Sequence, residues 1–136
     1  MVNELIKLMQ SQDKYLKELL ELLITQYNMI MNKDVFGLEG LVDKVNGCAK
    51  IIAKQELERR NLIGEQSISA FVNAANNEKL SGAYENMQQV LERVKQQKDT
   101  NDILLKQQLL FTNKMLSIMN PNRETKVYNS YGNLSR

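Results

Sequence analysis

Apolar residues recur every three or four positions along most of this 136-residue chain, and its single proline, Pro121, comes only near the end. Proline inside a helix removes a backbone hydrogen bond and clashes with the preceding turn, so everything before Pro121 is open to helix. Leu, Met, Lys, Glu and Gln are abundant, and all of them lose little side-chain freedom in a helix. The pattern predicts an all-α fold: three long helices in an antiparallel, coiled-coil-like bundle, with a short helical elbow and a flexible C-terminal tail.

In the first segment Leu5, Met9, Leu16, Leu19, Leu23 and Ile30 fall at heptad-like spacing, flanked by Leu8, Leu20, Leu22 and Tyr27. A stripe of this width is broader than a two-stranded seam needs and calls for two neighbouring helices. Asn32-Lys33-Asp34 breaks it, and Asp34 is suited to accept the free amide hydrogens of a second helix. So short a connection sets the two helices antiparallel. The second stripe runs through Leu38, Leu41, Val42, Val45, Cys48, Ala49 and Ile52. It meets Glu56 and Arg59 where apolar residues are due, then resumes at Leu62 and Ile63. Asn46-Gly47 has the composition of a hairpin turn, yet helical spacing runs across it unbroken. Gly40 and Gly47, seven residues apart, lie on nearly one face and leave room for another helix, and Gly37 marks a loosened first turn.

Residues 64–82 are the least regular, with Gly64, Ser67-Ile68-Ser69, Asn76-Asn77 and Gly82 around a short apolar turn of Ile68, Phe71 and Val72. This is the elbow. A third long helix is expected from Asn77 or Ser81 to Met119, carrying Leu80, Tyr84, Met87, Leu91, Val94, Leu105, Met115 and Met119 on one broad face interrupted by Lys98, Asn101 and Gln108. Two readings of Glu56 and Arg59 stand together: a buried network with those polar residues, or a place on the rim. The expected division is a bundle over residues 1–120 and a tail over 121–136.

Lys and Arg total 18 against 16 Asp and Glu, so no strong field draws nucleic acid or an anionic membrane. Apolar runs never exceed three residues, too short for a spanning helix or the core of a signal peptide. The lone cysteine, Cys48, has no intrachain partner for a disulfide, and without histidine the usual proton shuttle and metal ligand are missing. These features predict a soluble cytoplasmic protein with no metal and no cofactor. The paired carboxylates Glu56 and Glu58, or Asp99 and Asp102, read as solvated charge, because the first pair points to different helix faces and neither has pocket residues beside it. Cys48 sits on the apolar stripe and reads as a small buried hydrophobe; Ser67 and Ser69 have no base nearby, and no glycine-rich phosphate loop exists. No enzyme is expected.

Surface for binding remains. Ile103, Leu104, Leu105, Leu109, Leu110, Phe111, Met115, Leu116, Ile118 and Met119 occupy too much of the helix circumference for one internal seam. Some of them face a partner, or else a three-helix core or a homodimer buries them all; the sequence leaves both open. The methionines suit a surface that must adapt to several related sequences.

The order of these features resembles the FlgN flagellar export chaperones. The resemblance is carried by the leucine-rich first helix, by Glu56-Leu-Glu-Arg59-Arg60-Asn-Leu62 in the second, by Asn101-Asp-Ile-Leu104-Leu105-Lys-Gln-Gln108-Leu109-Leu-Phe111 in the third, and by the tail Tyr128-Asn-Ser-Tyr-Gly132. That tail is similar to the family's terminal tyrosine followed four residues later by glycine, although Tyr131 adds a second tyrosine and only four residues follow Gly132. The resemblance implies a cytoplasmic chaperone, not an enzyme, that binds the hook-filament junction proteins FlgK and FlgL and delivers them to the flagellar type III export gate. It implies a substrate face on the third helix, for which the candidate residues are Leu104, Leu105, Gln108, Leu109, Phe111, Thr112, Met115, Leu116 and Met119. It also implies contact of Tyr128 and Gly132 with the gate protein FlhA. A structural coiled coil that self-associates through the same stripe, and an export chaperone for another substrate such as the filament cap, are the competing readings.

Overall fold

The computed structural model describes residues 1–119, with the backbone of residues 127–128 and 134–135. Four helices are formed: α1 (Val2–Met31), α2 (Val35–Ile63), α3 (Ile68–Ala75) and α4 (Glu78–Met119). Two short strands follow, β1 (Val127–Tyr128) and β2 (Leu134–Ser135), paired antiparallel with Val127 opposite Ser135 and Tyr128 opposite Leu134. The sequence reading assigned no strand there. The chain divides into two compact units, Met1–Lys98 and Asp99–Arg136.

The expected boundaries are set by local chemistry. The Asp34 carboxylate accepts a hydrogen bond from the Gly37 amide at 2.9 Å, closing the first turn of α2. Gly37 therefore does more than loosen that turn, since a Cβ built there would run into the Asp34 side chain. Ser67 caps α3 through the Ala70 amide at 3.1 Å, and Asn77 caps α4 through the Leu80 amide, also at 3.1 Å. Gly64 ends α2 at φ +69°, a conformation that side chains rarely adopt. Asn46-Gly47 lies inside α2 with no break, as its helical spacing predicts.

In the first unit α1 and α2 run antiparallel: Tyr15 meets Cys48, and four residues back along α1, Ser11 meets Gln55 farther along α2. The core is formed by Leu5, Ile6, Met9, Leu16, Leu20 and Leu23 of α1, Val72 of α3, and Leu80, Ala83, Met87, Val90 and Val94 of α4. Ile52, Leu62 and Ile63 of α2 pack against that cluster. Burying a side chain of this size stabilises the fold by about 1.5–3 kcal/mol, so these residues dominate the energetics.

α2 departs from its predicted stripe. Its buried residues are Leu41, Cys48 and Gln55, whereas Val42 and Ala49 of that stripe are exposed, as is Ile51 outside it. The inward positions form a strict heptad line, and Val42 and Ile51 fall outside it. Gly40 and Gly47 have nothing within 4 Å of where a Cβ would sit, so no helix of the chain uses the room they leave.

A polar layer does interrupt the core, with partners other than those expected. Gln55 donates to the Ser11 hydroxyl at 2.8 Å. Arg59 pairs with Glu56 on its own helix at 2.5 Å and reaches the Met87 sulfur of α4 at 3.7 Å. On α4 it thus meets Met87. Gln12, only 2 % exposed, fills the slot between Met9 and Leu16 in the α1 seam, and its carbonyl oxygen has no hydrogen-bond partner. A buried amide oxygen left unsatisfied costs roughly 1–3 kcal/mol.

Two outcomes follow. Gln12→Met keeps the volume and removes the orphan oxygen, so guanidinium unfolding of this variant should show a gain of about 1–2 kcal/mol; a loss would mean that the amide is satisfied in solution. The double substitution Gly40→Ala and Gly47→Ala, placed where a methyl group meets nothing, should add about 1–2 kcal/mol from helix propensity alone, and a lowered melting temperature would contradict the open surroundings described above.

Candidate functional site

Within the second unit α4 shows a broad apolar face. At 3.6 residues per turn, Leu104, Gln108, Phe111, Met115 and Ile118 form one line along the helix. Leu105, Leu109, Thr112, Leu116 and Met119 form a second line beside it. Leu104, Leu105 and Gln108 are half-buried, while Leu109, Phe111, Thr112, Met115, Leu116 and Met119 are exposed. Phe111 has 61 % and Met119 70 % of its surface open to solvent. Ile103 and Leu110 are exposed as well, on the opposite side of the helix and separated from the first line by Gln107 and Lys114.

The structure thus brings all nine predicted substrate-face residues onto two adjacent lines of one helix, with the apolar side chains most open toward its end. Single exposed leucines are ordinary, whereas a contiguous exposed apolar band makes this face the candidate for partner binding. A residue at 61 % exposure does not belong to an internal seam. Asn101, just before it, is fully buried. Of the predicted gate-contact residues, Gly132 lies outside the described residues, and only the backbone of Tyr128, in β1, is described.

One exposed apolar group went unremarked in the sequence. At the corner between α1 and α2, Met31, Val35 and Phe36 are all exposed, Phe36 at 87 %. The signal was present, since Val35 and Phe36 precede the inward line that starts at Leu38.

Two grooves lie elsewhere among the described residues. A groove of about 420 Å³ is lined by Gln10, Asp13, Lys79, Gly82, Ala83 and Asn86, and one of about 580 Å³ by Glu4, Lys7, Leu8, Glu58, Asn61 and Leu62. Neither joins a nucleophile to a base. Among the described residues no group of three or more His, Cys, Asp or Glu side chains is placed to hold a metal ion. Cys48 is buried and donates to the Tyr15 carbonyl at 3.3 Å. Burial, and secondarily the negative charge of Glu18, push its thiol upward from the ordinary range, which keeps it protonated and unreactive. No helix among the described residues is long and apolar enough to cross a membrane.

No curated protein and no solved structure matches the chain. The family described as FlgN protein matches it over residues 1–136, its whole length. With a helical scaffold and an open apolar face, this chain belongs to the FlgN family of flagellar export chaperones.

Proposed function

We propose that this protein acts in the cytoplasm as the export chaperone of the hook-filament junction proteins FlgK and FlgL. It holds their sticky terminal segments on the second half of α4, keeps them from associating early, and delivers them to the type III export gate. The observation that carries this reading is the exposed band on α4, from Leu104 to Met119, in a chain of the FlgN family. An amphipathic segment laid on that band buries its own apolar residues against Phe111, Met115, Leu116 and Met119, and the long, unbranched methionines adapt to more than one partner sequence. Nothing in such a cycle needs a cofactor or ATP, because capture and release are set by the area buried and by what competes for it.

The gate is met by the tail. In this reading Tyr128, with Gly132 closing the motif, is the contact with FlhA, since a tyrosine ring gives a large contact area with few rotatable bonds to fix. The tail lies past Pro121 in the sequence, outside the substrate band, so loading and docking engage separate residues.

Co-purification of the full chain with the terminal segments of FlgK and FlgL, beside filament-cap and flagellin segments, tests the substrate class. Retention of only the junction segments supports the reading, and preference for the cap segment would reassign the substrate. Phe111→Glu with Met115→Glu places charge on two exposed sites and should weaken junction-segment binding at least tenfold. The thermal melt followed by circular dichroism should stay unchanged; a collapsed melt would make those residues part of the core. Tyr128→Ala should leave substrate binding intact and weaken FlhA binding at least tenfold, as expected for an aromatic anchor. Undiminished gate binding by that variant would remove Tyr128 from the docking role.

A further inference from the structure

The outward face of α2 is complementary to itself. Phe36, Asp43, Lys50 and Leu57 recur at every seventh position and so form one line along the helix. All four are exposed, Phe36 at 87 % and Leu57 at 59 %. Glu39 and Lys54, also exposed, flank the line. Asp43 lies as far before the Asn46-Gly47 peptide as Lys50 lies after it, and the same holds for Glu39 with Lys54 and for Phe36 with Leu57. None of the four charged side chains joins an ion pair or a hydrogen bond among the described residues. The face therefore presents two free carboxylates on one half and two free ammonium groups on the other.

We propose that this face is the contact between two copies of the chain, paired through α2 in antiparallel order about a two-fold axis at Asn46-Gly47. In that register Phe36 of each copy meets Leu57 of the other, Asp43 faces Lys50, and Glu39 comes level with Lys54. Apolar ends then enclose a centre of opposite charges, and such charges choose partner and direction between helices. Gly40, Gly47 and Ala53, beside the line, carry no bulk that would hold a second helix away. The pairing uses no residue of the α4 band and stands independently of the substrate reading.

A second copy is the occupant that this pattern fits. A two-fold contact requires one residue to meet another and the second to meet the first in return, and the two halves of α2 supply that match within one sequence. A different protein would need no such relation between them. Charge also sets the direction, because parallel helices would place Asp43 against Asp43 and Lys50 against Lys50. One helix from each copy makes a contact at the small end of specific interfaces, so the dimer is weak and exchanges with its monomer.

Sedimentation of the full chain over a wide range of concentration should show monomer in equilibrium with dimer, and the dimer should weaken as salt is raised. Asp43→Lys and Lys50→Asp, each on an exposed position and with the helical melt unchanged, should each weaken it about tenfold, because both facing pairs become like charges. Mixing the two variants should restore association, since each supplies the charge that the other lacks, and so should a chain carrying both changes. A chain that stays monomeric throughout overturns the proposal. So does a dimer indifferent to Asp43→Lys and Lys50→Asp, or one that the single changes weaken and the mixture does not restore. A dimer dissolved by Phe111→Glu with Met115→Glu and untouched by the changes in α2 gives the contact to α4 and overturns it likewise.

Discussion

The seam of α1 has to serve several neighbours at once, and the first unit is organised around that demand. Leu5, Met9, Leu16, Leu20 and Leu23 share one cluster with Val72 of α3 and with Leu80 through Val94 of α4, while Ile52, Leu62 and Ile63 of α2 close on it. A stripe that wide exceeds what one partner can bury, and this is why the chain folds as a bundle and not as a hairpin of two helices. Gln12 sits in the middle of this seam. With Gln55 and Arg59 it makes a stretch where apolar burial gives way to amides and a guanidinium, and such polar positions are a known means of fixing which residues stand opposite which. The lost stability of an orphan oxygen is consistent with that use.

Length explains why the last helix has apolar surface to spare. α4 has 42 residues, while α1 and α2 have 30 and 29. At 1.5 Å per residue these correspond to about 63 Å against about 45 Å, so neither partner can cover all of α4. Its first half is built of Leu80, Ala83, Met87, Val90 and Val94, all buried; its end is as apolar and open. Where the core residues of α4 are committed to folding, the apolar side chains from Phe111 to Met119 are not.

Much of this was legible in the residues themselves. The caps at Asp34, Ser67 and Asn77, the α1 seam and the extent of α4 follow from periodicity and from side chains able to satisfy the first free amides of a helix. The breadth of the apolar face at residues 103–119 was also visible, because too many positions around the helix were apolar for one seam. Exposure was not. Periodicity reports which residues share a face and says nothing of what that face meets. Val42 and Ala49 were therefore counted into a stripe they do not join, and Phe36 passed unnoticed. Gly40 and Gly47 failed for a related reason, since a gap on a helix face has the same sequence whether a neighbour fills it or solvent does. The partners of Glu56 and Arg59 depended on the depth at which α4 crosses, which no local pattern encodes, and the short β1–β2 pair has too few residues to leave a signature.

The ion pairs point to a consequence for temperature. Lys17 with Asp13, and Arg59 and Arg60 with Glu56, each join residues three or four apart on a single helix. Among the described contacts, what holds one helix of the first unit to another is mainly apolar, with a few hydrogen bonds such as Gln55 to Ser11 and the Arg59 guanidinium to the Met87 sulfur. Apolar adhesion near room temperature is driven by entropy and fades on cooling, whereas backbone hydrogen bonding within a helix does not. Chilling should therefore slacken the grip between helices before it unwinds them, so that in the cold this scaffold becomes a set of intact rods sliding more freely against one another.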